Sequence, residues 1–148
     1  MSLTLPLPNA HFIWYNAWLS VPSAIYALTR KSHHLAIVPA TVFTTSLLYW
    51  RNPVRDSWYR VLDMTTVFLG VTYQSIYAFQ TIRITSPYRH FPAYTSLVAA
   101  SVGCYALSHT LMNRGRIWPA TYAHASIHLV ANVANMVLYH GMYNKDIL

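Results

Sequence analysis

Long apolar stretches alternate along this chain with short segments carrying Arg, Lys, Pro and Asn, and five of the stretches free of Lys and Arg run to about 20 residues or more. A helix of that length crosses about 30 Å of hydrocarbon. The pattern predicts five helices, from about Ala10 to Thr29, His33 to Trp50, Ser57 to Gln80, Phe91 to Met112 and Trp118 to His140. Pro22 is expected to kink the first, and Pro119 sits in the first turn of the fifth, where the missing N–H costs nothing.

Polar positions inside these helices are periodic. In the fifth, His124, His128, Asn132 and Asn135 recur at spacings of four, four and three and fall on one stripe. Asp63, Thr66, Gly70, Gln74 and Tyr77 make a second stripe along the third. Ala100, Cys104 and Ser108, with Gly103 beside them, form a small-residue ridge suited to close helix contact on the fourth. A stripe of this kind must face protein, water or an ion, because an unpartnered polar group in hydrocarbon is costly. The expectation is that Asn132 and Asn135 lie deep in the bundle against Gln74.

Composition agrees with the pattern. The 148 residues are 55% hydrophobic, 15% aromatic and only 9% charged, against roughly 25% charged in a soluble domain. Twelve Tyr, five Trp and eight His hold the mean hydropathy at +0.28, yet these side chains suit membrane interfaces and helix contacts. The chain therefore reads as one all-α domain over residues 1–148, a polytopic, integral membrane helix bundle of about five transmembrane helices with membrane lipids around it. The N-terminal MSLTLPLPNA has no basic region or cleavage site, so no signal peptide is expected.

Charge narrows the partners. Ten Lys and Arg stand against three Asp and no Glu, a net charge of +7, but they are spaced between the apolar stretches. That distribution suits loops near anionic headgroups rather than a nucleic-acid surface. Arg51, Arg55, Arg60, Arg114 and Arg116 fall on one side and Arg30, Lys31, Arg83, Arg89 and Lys145 on the other, so charge assigns no orientation. Cys104, the single cysteine, excludes an intrachain disulfide.

Alternating spans bring the end of the second helix, the start of the third, the end of the fourth and the start of the fifth to one face. Ser46, Asp63, His109, His124 and His128 would then share a layer one to two turns deep. Asp63 is the only acid within a span, where a charge costs about 3 kcal/mol and calls for a partner. It either serves chemistry or simply pairs with Arg60 or caps a helix. His124 and His128 form HxxxH, which presents two imidazoles to one metal ion; packed histidines hydrogen-bonded to Ser, Thr or Tyr are the plainer alternative. A zinc ion there, with His109 as a third ligand, would lower the pKa of its water to about 7, and Asp63 would orient or deprotonate that water. Pro87 marks a loop at the other face, where His33, His34, His90 and His140 read as ordinary interfacial histidines.

The constellation Ser46, Asp63, His124 and His128 resembles the CREST superfamily of intramembrane hydrolases and receptors, which includes alkaline ceramidases and the progestin/adipoQ receptors. The resemblance implies zinc on the histidines, with the Ser and Asp around the metal water. Trp50 stands four residues after Ser46, where the family has its third histidine, and five spans are predicted against the family's seven. Three functions follow: a non-catalytic component of a larger membrane assembly, its stripes pairing with other membrane protein subunits; a zinc-dependent hydrolase of a lipid amide or ester, with Ser46 steadying the oxyanion; or a component of a proton or ion pathway through Asp63 and the histidines.

Overall fold

The computed structural model describes residues 3–86 and 88–143, so Pro87 and Lys145 lie outside the described residues. The chain is all-α. Its helices are α1 (Leu7–Ala17), α2 (Ser20–Thr29), α3 (His33–Trp50), α4 (Trp58–Gln80), the single turn α5 (Ile82–Thr85), α6 (His90–Asn113) and α7 (Ile117–Tyr143). Five rods result, with α1 and α2 as two halves of the first. Among the described residues no helix is long and apolar enough, by mean hydropathy, to cross a membrane.

Local chemistry explains most boundaries. Pro22 cannot donate to the carbonyl of Trp18 and its ring crowds that carbonyl, so the first rod breaks at Trp18–Leu19, four residues upstream of the proline. The turn there is held by tighter bonds, from Leu19 N–H to Asn16 O at 3.1 Å and Val21 N–H to Trp18 O at 3.1 Å. Ser57 caps α4, its hydroxyl accepting from Arg60 N–H at 3.2 Å. Between α6 and α7 the turn Asn113–Arg116 reverses the chain through Gly115 at φ +72°, a left-handed conformation natural to glycine.

The hairpin α6–α7 has the most extensive packing, α3 bridges α2 and α4, and α7 also lies against α1 and α2. By contrast α4 meets α6 only lightly, which leaves a cleft between them. Gly70 brings α4 close to α3, since a Cβ at that position would stand 2.8 Å from Val38 Cγ1. Apolar clusters close both ends: Leu35, Ile82, Tyr94 and Leu138 belong to one, and Leu5, Ile13, Tyr49 and Trp50 to the other.

Within the polar stripes Asp63, Gln74 and Asn132 are buried, and each bonds a neighbouring helix. Asn132 accepts from Ser23 Oγ and donates to Ser20 Oγ at 3.2 Å and to His128 O at 2.7 Å. Gln74 Nε2 donates to Tyr139 Oη at 2.8 Å, and that hydroxyl donates to Leu35 O at 3.2 Å. Asn132 therefore pairs with α2 instead of meeting Gln74 as its stripe suggested. The stripe fixes which side of α7 the asparagine occupies, whereas the rotation of the neighbours decides its partner. The ridge on α6 differs too: Ser108 is buried and donates to Ala120 O at 2.9 Å, but Ala100 and Gly103 are exposed. Among the described residues no buried side-chain nitrogen or oxygen lacks a hydrogen-bond partner.

Candidate functional site

At the end of the bundle nearest the α3–α4 and α6–α7 loops, the cleft between α4 and α6 opens into a cavity of about 130 Å³. Tyr49 and Trp50 wall it from α3, Arg60, Asp63 and Met64 from α4, Tyr105, Ser108 and His109 from α6, and His124 from α7. Thr4 and Leu5 cover its end, held there by the bond from Thr4 N–H to Pro53 O at 2.7 Å and by the contact of Thr4 Oγ1 with Tyr49 Oη at 2.7 Å. The four helix ends expected to share a layer do meet.

Asp63 is 8% exposed. Its Oδ1 accepts from Ser46 Oγ at 2.8 Å and from Thr45 Oγ1 at 3.0 Å. Neighbouring residues in the last turns of α3 thus converge on one carboxylate oxygen, a geometry that the close α3–α4 approach at Gly70 permits. The simpler roles for Asp63 go to other residues: Ser57 caps α4, and the Arg60 guanidinium donates to Arg55 O at 3.1 Å. Thr45 had a visible signal in the hydroxyl run Thr44, Thr45, Ser46, but only the structure singles it out as a second donor.

The imidazoles stand differently. His124 lines the cavity, with the Trp50 ring 4.8 Å away at 65° and His128 6.2 Å away on the next turn. Trp50 thus packs its indole against the first histidine of the pair. Among the described residues no hydrogen bond joins either ring to another side chain. His128 is buried one turn deeper. His109 is exposed on the cavity wall, with Nδ1 3.2 Å from Asn113 Nδ2 on its own helix.

These positions test the zinc set His109, His124 and His128. Among the described residues no three His, Cys, Asp or Glu side chains form a group that could hold a metal ion. The Trp50 ring packs beside His124, and His109 stands exposed on the cavity wall rather than gathered with the other two rings. In this arrangement the donors do not form a three-ligand zinc site. The cavity does unite an acid whose acceptor oxygen is defined, an imidazole and a guanidinium, groups able to accept, donate or pass a proton.

Comparison of the chain with family models, with curated proteins and with solved structures returned no match.

Proposed function

We propose that this chain is a multi-pass integral membrane protein serving as a non-catalytic component of a larger membrane assembly, with lipids and other membrane protein subunits as its neighbours. One observation carries the reading, the inverted pattern of α4. Its buried residues are Asp63, Gly70, Gln74 and Ala78, while Trp58, Phe68, Leu69, Ile76 and Phe79 are each more than half exposed. In water each large apolar side chain left outside forgoes about 1.5–3 kcal/mol of burial, and contiguous apolar faces of this kind mark contacts with lipid or partner helices. In a bilayer the arrangement is favourable, because the outer face is solvated by acyl chains and the inner polar groups bond helix to helix.

Length is compatible with this reading, since the 23 residues of α4 extend about 34 Å at about 1.5 Å each. The Tyr, Gln, Thr and Asp residues that depress its mean hydropathy include the inward-facing Asp63 and Gln74. A non-catalytic role is supported by how the polar residues are used: Asp63 ties α4 to α3, and Asn132 ties α7 to α2. Alkaline carbonate extraction of membranes, followed by native-size measurement in mild detergent, tests the proposal. Retention in the membrane pellet and migration in a complex larger than one chain are expected. Release by carbonate would refute the membrane reading, and a monomer without co-purifying subunits would refute the assembly.

A second reading is favoured by the cavity walls. Asp63, His109 and His124 are ionisable groups on three helices around one space, as in an intramembrane proton or ion pathway. Proton flux into liposomes carrying the purified chain, abolished by Asp63→Asn, is its signature; flux equal to that of empty liposomes removes it. The zinc-dependent hydrolase implied by the CREST resemblance needs a third donor beside His124 and His128.

A further inference from the structure

The opposite end of the bundle holds a second and larger cavity, about 470 Å³, where α2, α6 and α7 meet. Its walls divide by chemistry. Tyr26, Arg89, His90 and His140 form the rim, and Ala93, Val133, Met136 and Val137 form the rest. Seven residues of α7 separate His140 from Val133, about 10 Å along the helix axis. Val133 and Ala93 are exposed, so the apolar wall opens sideways, out of the bundle.

The rim is held in place by its own contacts. His90 Nδ1 bonds with Ser86 Oγ at 2.7 Å, and His140 Nδ1 with Tyr26 Oη at 3.1 Å; Arg30 Nη2 donates to the same tyrosine oxygen at 3.0 Å. Both imidazoles are engaged through Nδ1, which leaves their Nε2 atoms for a ligand. The two rings lie 5.4 Å apart. Gly141 permits this, because a Cβ there would fall 2.7 Å from His90 Cβ. Arg89 is exposed at the N-terminus of α6. Asp56 and Asp63 both belong to the other end of the bundle, and the third acid, Asp146, lies outside the described residues.

We propose that this cavity binds one anionic glycerophospholipid, its phosphate on Arg89, His90 and His140 and an acyl chain along Val133, Met136 and Val137. The inference rests on the membrane-spanning reading above. A guanidinium and imidazole N–H groups give charge-assisted bonds to phosphate oxygens, and basic pockets between helix ends at the headgroup level select anionic lipids. The volume falls within the range of about 300–1,000 Å³ usual for small-molecule sites. A free phosphate would use the rim alone, whereas a lipid uses the apolar wall as well.

Native mass spectrometry of the full chain in a mild nonionic detergent, titrated with dioleoylphosphatidylglycerol, dioleoylphosphatidylcholine or glycerol 3-phosphate, tests the proposal. One phosphatidylglycerol should be retained per chain, about tenfold more tightly than phosphatidylcholine, and Arg89→Gln should erase that preference, the loss of about one charge-assisted bond. Met136→Trp, which obstructs the apolar wall without touching the rim, should weaken both lipids. Arg114→Gln, at the far end, should change neither. Equal retention of the two lipids, an unaltered preference in Arg89→Gln, or unaltered binding in Met136→Trp would overturn the site, and displacement of bound lipid by glycerol 3-phosphate would overturn the lipid as its occupant. Carbonate extraction of the same cells separates the failures. A chain released from membranes sinks the membrane reading itself, while a chain retained in them but indifferent to headgroup charge sinks only the lipid site.

Discussion

Replacing Asp63 by Asn and by Leu separates its role as a hydrogen-bond acceptor from its role as an acid. Oδ1 accepts from Ser46 at 2.8 Å and Thr45 at 3.0 Å, and Asn supplies an acceptor oxygen of the same shape, so Asp63→Asn should cost under about 1 kcal/mol. Leu supplies none. Thr45 then keeps a partner in Val42 O at 3.2 Å, but the buried Ser46 hydroxyl loses its acceptor, at a cost of about 1–3 kcal/mol. On the proposed membrane reading, interhelical bonds average about 0.6 and reach about 1.7 kcal/mol each, so the two bonds lost in Asp63→Leu agree with that range. Adding Ser46→Ala removes the stranded donor and should restore about 1–2 kcal/mol, read as the coupling term of a double-mutant cycle. Reversible unfolding in mixed micelles with rising SDS, followed by tryptophan fluorescence, measures the wild type, Asp63→Asn, Asp63→Leu, Ser46→Ala and the double variant. Equal destabilisation by Asn and Leu, or a coupling near zero, would show that these hydroxyls do not hold the carboxylate.

Two further outcomes follow from the site and the core. Purified wild-type protein should carry far less than one zinc per chain by plasma mass spectrometry; stoichiometric zinc lost in a His124→Ala, His128→Ala double variant would instead establish a site and restore the hydrolase reading. Asn132→Leu should destabilise the bundle by about 1–2 kcal/mol in the same unfolding assay, because both bonds from α7 to Ser20 and Ser23 are lost, although Ser23 Oγ still donates to Ser20 O at 3.0 Å. A cost below about 0.5 kcal/mol would mean that this triad contributes little to α2–α7 docking.

Much of the architecture was legible in the chain because its punctuation is local. Arg, Pro, Asn and Gly segments end each rod wherever the helix changes direction, so α3 runs from His33 to Trp50 as its apolar pattern predicts, and α4, α6 and α7 depart from prediction by one to three residues at their ends. Once the rods alternate in direction, depth follows from residue count, which is why Ser46, Asp63, His109 and His124 could be placed at one level before any contact was known. The proline in the first rod announced a break, whose position at Trp18–Leu19 follows from the carbonyl four residues upstream.

Partner choice was not legible, because helical periodicity sets the face of a residue but not the rotation of the helix it meets. Thr45 beside Ser46 on Asp63, Trp50 over His124, and Asn132 on Ser20 and Ser23 all depend on how α2, α3, α4 and α7 turn against one another. Close approaches such as Gly70 on Val38 and Gly141 on His90 govern those rotations, and each is a contact between residues at least 30 positions apart in the chain. The same reason hid the rim of the second cavity: His90 and His140 read as unrelated interfacial histidines until Gly141 allowed α6 and α7 to bring their rings within 5.4 Å. By itself, the sequence determined a bundle of helices with polar groups along their inner faces. The tertiary structure decided which of those groups touch, since that depends on side-chain volume at a few crossing points where glycine lets two backbones come together.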